Sequence, residues 1–212
     1  MSHPAPPNLD TLRRRAARCT ACPLHKRATQ TVFGEGPARA SVVIVGEQPG
    51  HEEDLAGRPF VGPAGRLLDR ALAEAGLDRR RIYITNAVKH FKWKADGGGK
   101  RRIHERPRPD EVEACHPWFE QELWLIRPTV LICLGVTAAT AVLKRRITIR
   151  DSRGQALTSP QGIATFVTVH PSAILRVPDP ADREAELHHL ARDLHRAAHY
   201  SGRMSSRVPR KK

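Results

Sequence analysis

A single α/β domain, three layers deep around a central four-stranded parallel sheet, is the fold class this sequence predicts. Two observations carry it. Four short apolar runs recur at 41–45 (SVVIV), 81–85 (RIYIT), 129–134 (TVLICL) and 163–169 (IATFVTV), and helical patterns separate them. Runs that are apolar almost throughout suit strands buried on both faces, and strands that alternate with helices form parallel sheets.

Taken in order, 9–18 reads as a short helix capped by Asn8 and ending at a Cys-Thr-Ala-Cys-Pro turn. The first strand runs into the turn-rich Gly46-Glu47-Gln48-Pro49-Gly50. Pro63 stands where a helix begins, with Leu67, Leu68, Ala71 and Leu72 on one face and Gly76 placed to end it. The second strand leads to Asn86 and a long polar segment. Asp110 opens an amphipathic helix through Val112, Cys115, Phe119, Leu123 and Ile126. The third strand is followed by a helix after Gly135. Residues 147–157 read as a hairpin or loop. The fourth strand ends at His170-Pro171-Ser172, and 181–199 is the last helix. The folded domain spans 9–200, between a disordered lead-in (1–8) and a basic tail (201–212). In parallel sheets chemistry gathers at the carboxyl ends of strands, here Gly46, Asn86, Gly135 and His170.

The charge balance points to the partner. Thirty-six Lys and Arg against 22 Asp and Glu give a net charge of +14, and 206–212 holds only four of the positive charges. A chain this basic is drawn to nucleic acid, because neutralising phosphates releases counterions. No run approaches the ~20 apolar residues of a membrane span, and the N-terminus lacks the apolar core of a signal peptide. A cytoplasmic monomer is expected.

Four cysteines in a reducing compartment are poor candidates for structural disulfides. Cys19 and Cys22 can chelate one centre from a tight turn. Cys115 and Cys133 lie at apolar positions of their elements, where free cysteine is also common in cores. Spacing alone leaves zinc, an iron–sulfur cluster and unrelated buried thiols open.

Four segments, taken together, narrow this: Gly46–Gly50, Gly57-Arg58-Pro59-Phe60-Val61-Gly62, Thr85-Asn86 with Lys89, and His170-Pro171-Ser172. Their order resembles the uracil-DNA glycosylase superfamily, and most closely its iron–sulfur, family 4-like branch. The resemblance implies a [4Fe–4S] cluster on Cys19, Cys22, Cys115 and Cys133; ligands drawn from the N-terminal turn, a helix and a strand would make it a structural staple. It implies uracil-containing DNA, single- or double-stranded, as substrate and free uracil as product.

Excision breaks the C1′–N1 bond after the base has left the stack. By the resemblance, Phe60 stacks on the flipped ring, and Asn86 reads the O4 and N3 edge that cytosine reverses. His170 donates near O2 to the departing anion, and Glu47 activates water or stabilises the sugar cation. Gly46, Gln48 and Asp54 are expected to shape the uracil pocket, Glu52 and Glu53 to be solvated charges, and Ser172 to contact DNA.

Two features depart from the ordinary branch pattern. Gln48 replaces a small residue, and 89–109 is long and basic, with eight Lys and Arg against two acids. By composition that segment is a phosphate-gripping loop in which Lys100, Arg101 and Arg102 meet DNA. However, Lys-Arg-Arg-Ile-His with Gly-Glu-Gln-Pro-Gly resembles the X-type uracil-DNA glycosylases, which implies that His104 attacks the sugar C1′ and holds the DNA covalently. A neutral imidazole outcompetes water when a loop holds it in line, with Glu47 to orient the ring or take its proton. Arg102 either fixes this loop or binds a phosphate. The alternatives are a family 4 enzyme of multiple turnover and, in another class, a non-catalytic zinc-containing nucleic-acid binder.

Overall fold

The computed structural model describes residues 8–98 and 101–205, with side chains as far as Tyr200. Most of the predicted lead-in, Lys100, and the tail beyond Ser205 lie outside these residues.

Helix α1 (Leu9–Ala16) starts where Asn8 Oδ1 accepts the Thr11 N–H at 2.9 Å. Strand β1 (Val42–Gly46) is buried at every position. A short helix not anticipated from the sequence, α2 (His51–Ala56), precedes α3 (Pro63–Glu74), which opens on its proline. After β2 (Tyr83–Asn86) the basic segment folds as a hairpin. Its strands β3 (Trp93–Ala95) and β4 (Arg102–His104) pair antiparallel, with Trp93 opposite His104. Next come α4 (Pro109–Ile126), β5 (Val130–Leu134) and α5 (Val136–Leu143). The 147–157 stretch holds a single helical turn, α6 (Ile149–Ser152), and reaches β6 (Leu157–Thr158). The chain ends through β7 (Ala164–Thr168), α7 (Pro171–Ile174) and α8 (Pro180–Ser205).

The central sheet has the order β2-β1-β5-β7-β6. Its first four strands are parallel, as predicted. The prediction of four strands in all is corrected by β6, which adds an antiparallel fifth at the edge of β7. Two residues, Leu157 and Thr158, are too few to show an alternating pattern, and only the open edge of β7 makes them a strand.

Alternation along each strand divides the core. Ile44, Ile84, Ile132 and Phe166 face Leu68, Leu72, Leu190 and Leu194 of α3 and α8. Val43, Val45, Leu131 and Val167 face Leu12, Phe119, Leu123 and Val142 of α1, α4 and α5. Burying each of these leucines contributes about 1.5–3 kcal/mol, so both faces of the sheet are fixed firmly. Strand β1 has β2 on one side and β5 on the other. The crevice beyond the carboxyl ends of β1 and β5 is therefore the topological switch point, where ligands of such sheets bind.

Candidate active site

A cavity of about 560 Å³ opens at that switch point, and every predicted catalytic residue lines it. Glu47 follows β1, Asn86 ends β2, Leu134 ends β5 with Gly135 after it, and His170 lies just beyond β7. His104 arrives from the hairpin.

Gly46 lies opposite Asn86 in the sheet register. A Cβ built on Gly46 would overlap Asn86 Oδ1 and the Phe60 ring, so only glycine lets that ring and that amide approach each other here. Phe60 has φ 54°, a left-handed backbone that costs a bulky residue about 1–3 kcal/mol. Arg79 Nη2 offsets this by donating to the Pro59 and Phe60 carbonyls at 3.1 and 3.2 Å.

Glu53, expected to be a solvated charge, is buried instead. Its carboxylate accepts the N–H groups of Gly50, Val61 and Gly62 at 3.0, 3.0 and 2.7 Å, which ties the two glycine-rich loops together. Glu52 remains a surface charge, paired with Arg66.

Asn86 is 2% exposed, and its Oδ1 has no hydrogen-bond partner among the described residues. Lys89 Nζ holds the main chain behind it, donating to the Asn86 carbonyl at 2.8 Å, to Thr85 Oγ1 at 2.6 Å and to Glu122 Oε2 at 2.5 Å. Glu122, fully buried, also accepts from Tyr83 and Thr85. Sequence reasoning missed it. The available signal was a carboxylate between Phe119 and Leu123 on the inward face of α4.

His170 is fixed as a neutral donor. Its Nδ1 accepts the Ser172 N–H at 3.1 Å and lies 2.8 Å from Ser172 Oγ, so the ring proton sits on Nε2. Burial, reinforced by His104 and Arg176, pushes its pKa down to about 4. Ser172, expected to touch DNA, thus orients His170 from within the cavity wall.

His104 is fixed in the complementary sense. Gln48 Oε1 accepts the Lys92 N–H at 3.0 Å, and its Nε2 donates to the Glu105 carbonyl at 2.9 Å. This orients the amide, so the N–H reaching His104 Nε2 at 2.8 Å makes that nitrogen an acceptor. His104 therefore carries its proton on Nδ1 and a lone pair on Nε2. Burial lowers its pKa, against the opposing charge of Glu47 and with help from Arg176. Glu47 Oε1 is 3.5 Å from the same Nε2. The carboxylate consequently faces the lone-pair side of the ring, away from Nδ1; of its two expected roles, orienting the ring and taking its proton, this placement suits the first.

Two predicted contacts are reassigned. Asp54 does not line the cavity. It is fully buried beside it, where it accepts Thr29 N–H at 3.0 Å and Arg102 Nη1 at 2.6 Å. Arg102, read as a DNA contact, points inward to Asp54 and to His51 Nδ1 at 2.9 Å, and lies over the Phe91 and Trp93 rings. It latches the hairpin. Arg101 is exposed, with its main-chain N–H on Asp96.

The cysteines separate into three and one. Cys22 and Cys115 share a small cluster with Val88, and Cys19 is near enough to raise the pKa of both thiols, although burial is the larger cause. Trp118 Nε1 donates to Cys19 Sγ at 3.1 Å and Lys89 N to Cys115 Sγ at 3.2 Å, donors that suit thiolate ligands. Cys133 belongs elsewhere. It pairs with Val45 and Val167 inside the sheet, and burial alone raises its pKa. A strand residue facing α1, α4 and α5 is committed to the core. Cys133 is thus set apart from the other three of the expected set. The buried His90 is linked to the Cys19 main chain: its Nε2 is 2.9 Å from Thr31 Oγ1, which bonds the Ala16 carbonyl that also accepts the Cys19 N–H.

Residues 33–195 match the family described as the uracil DNA glycosylase superfamily. The chain is 37% identical to a type-4 uracil-DNA glycosylase of Thermotoga maritima over 169 residues, which cover 79% of this chain and 83% of that protein. It is 37% identical to a type-4 uracil-DNA glycosylase of Pyrobaculum aerophilum over 178 residues, covering 81% and 86%. A type-5 uracil-DNA glycosylase of the same organism is 29% identical over 74% of each chain. No helix among the described residues is long and apolar enough to cross a membrane.

Proposed function

The chain belongs to the uracil-DNA glycosylase superfamily, and we propose that it excises uracil from DNA and then retains the abasic strand through a bond from His104 to the sugar C1′. Uracil-DNA glycosylase activity follows from its type-4 relatives. Covalent retention is the further step, and the contact between Gln48 and His104 carries it.

The cavity's parts divide the work. Asn86 Oδ1, a buried acceptor without a partner among the described residues, suits the N3–H of uracil; cytosine offers only a lone pair there. Phe60 supplies a ring face, 5.8 Å from the His170 ring. As the C1′–N1 bond breaks, uracil leaves with the electron pair, and His170 Nε2–H stabilises the charge developing at O2. Glu47 stands against the positive charge that grows at C1′.

The lone pair on His104 Nε2 then forms the new bond to C1′. The ring becomes an imidazolium and releases its Nδ1 proton to solvent. The outcome is a neutral N-glycosidic imidazole, which a carboxylate alone cannot protonate for departure, so turnover ends after one event.

The [4Fe–4S] reading is supported for three ligands, Cys19, Cys22 and Cys115, and not for Cys133. Buried His90 is the candidate for the fourth position. Such a cluster would cross-link the N-terminal turn to α4, and no step of excision depends on it. The protein is proposed to act as a monomer on single- or double-stranded DNA.

The test is a denaturing gel after incubation with a labelled oligonucleotide containing one uracil. A heat-stable shifted band, lost with a thymine control and with His104→Ala, is expected. Strand cleavage by alkali without any shifted band would leave a glycosylase of ordinary turnover. An intact strand would return the protein to the class of non-catalytic binders.

A further inference from the structure

The last helix carries a pair of histidines that has no part in the chemistry above. His195 and His199 stand four residues apart on α8, a spacing that puts both on one face of the helix. With Glu74, Ala75 and Arg192 they line a recess of about 490 Å³ between α8 and the end of α3. The other end of α3 is at the catalytic cavity, which Ala64 lines. The 12 residues of α3 rise about 18 Å, so the recess is remote from the strand ends.

Both rings are held in the same tautomer. His195 Nδ1 is 3.2 Å from the Ala75 carbonyl, and His199 Nδ1 is 3.0 Å from the His195 carbonyl. A carbonyl can only accept, so each Nδ1 carries a proton and donates it. Each Nε2 is left with its lone pair and has no hydrogen-bond partner among the described residues. The ring centroids are 3.8 Å apart, and both residues are exposed. Adjacent imidazoles with Nδ1–H on a main-chain carbonyl and Nε2 open are oriented as metal-binding histidines are.

The surroundings select the kind of ion. Arg192 and Arg196 share the recess, although Arg196 Nη1 is drawn off to the Gly154 carbonyl at 3.1 Å. Glu74 is engaged by His188 Nδ1 at 2.6 Å, and no third His, Cys, Asp or Glu among the described residues joins the pair. Ions that need several oxygen ligands, such as Mg²⁺ and Ca²⁺, are therefore poorly served. Ions that bond strongly to imidazole nitrogen are not. We propose that His195 and His199 bind one late first-row divalent ion, of the class of Ni²⁺, Cu²⁺ and Zn²⁺, through their Nε2 atoms, with water completing its coordination. Such a bridge links successive turns of α8 and, through the Ala75 carbonyl, braces that helix against the end of α3. The site does not depend on the glycosylase reading.

The experiment uses the full-length protein without an affinity tag, dialysed against Ni²⁺, with bound nickel counted per chain. Binding should weaken at least ~10-fold in His195→Gln and in His199→Gln. His188→Gln, which alters a neighbour already engaged by Glu74, should bind as the parent protein does. At about a hundred times its Kd, Ni²⁺ should raise the melting temperature of the parent by about 5–10 °C and that of the two variants by less. Modification by diethylpyrocarbonate, mapped by mass spectrometry on the parent protein, gives the position without any substitution. Ni²⁺ should protect His195 and His199 and leave the reactivity of His188 unchanged.

Nickel that survives both substitutions undiminished would be held elsewhere and would overturn the proposal. Absence of bound nickel in the parent, or of protection at His195 and His199, would overturn it equally.

Discussion

Gln48 Nε2 lies 2.8 Å from His104 Nε2, and the same amide is held by the main chain of Lys92 and Glu105. One side chain therefore fixes where the hairpin sits and which nitrogen of its histidine carries the lone pair. Gln48→Ala should reduce the yield of the covalent adduct at least 10-fold while alkali-labile product still forms. Gln48→Glu should be worse, because a carboxylate favours a protonated Nε2. Gel quantification of shifted strand against alkali-cleaved strand checks both.

Arg102 and Asp54 set the approach of that hairpin from the other side, at 2.6 Å. Breaking a buried pair from one side leaves an uncompensated charge, and Arg102→Ala should cost roughly 3 kcal/mol of stability. Adduct formation should fall more than excision, because His104 loses its placement whereas Asn86 and His170 do not. Thermal melts alongside the gel assay separate the two effects.

Asn86 carries base selection. Asn86→Asp turns a group able to donate and accept into an acceptor alone, and should slow uracil excision on the order of 10²–10³-fold. Single-turnover rates with uracil and cytosine oligonucleotides provide the measurement. An unchanged preference would remove Asn86 from its role.

The pH dependence follows from His170. Its folded pKa, about 4, lies below the ordinary histidine value near 6.5, so the unfolded chain takes up the proton first. The stability it contributes is complete above about pH 6.5 and is lost as pH falls towards 4. Excision should hold its His170-dependent rate down to about pH 5 and decline through pH 4. His170→Gln should flatten both profiles, read as melting temperature and single-turnover rate against pH.

For the cysteines, Cys115→Ser and Cys19→Ser should lose bound iron and the brown absorbance near ~400 nm that thiolate-to-iron charge transfer gives. Cys133→Val should keep both, because Cys133 is packed against Val45 and Val167 inside the sheet. Iron analysis of the purified variants decides this. Loss of iron on Cys133→Val in a folded protein would restore the four-cysteine set.

By itself the sequence determined the parallel strands, the helices between them and the placement of Glu47, Asn86 and His170 at strand ends. Those features are local: apolar runs, prolines at helix starts and loops whose residue types repeat a family order. What only the tertiary structure decided was the fate of polar groups whose partners are distant in the chain. Nothing near Glu53 in sequence says that it closes two loops, nor does anything near Arg102 say that Asp54, 48 residues earlier, will hold it. Cys133 looked like a ligand because its type matched, and became a core residue because its side of β5 faces three helices. A side chain's type limits what it can bond, but burial and the partners brought to it by folding choose among those bonds.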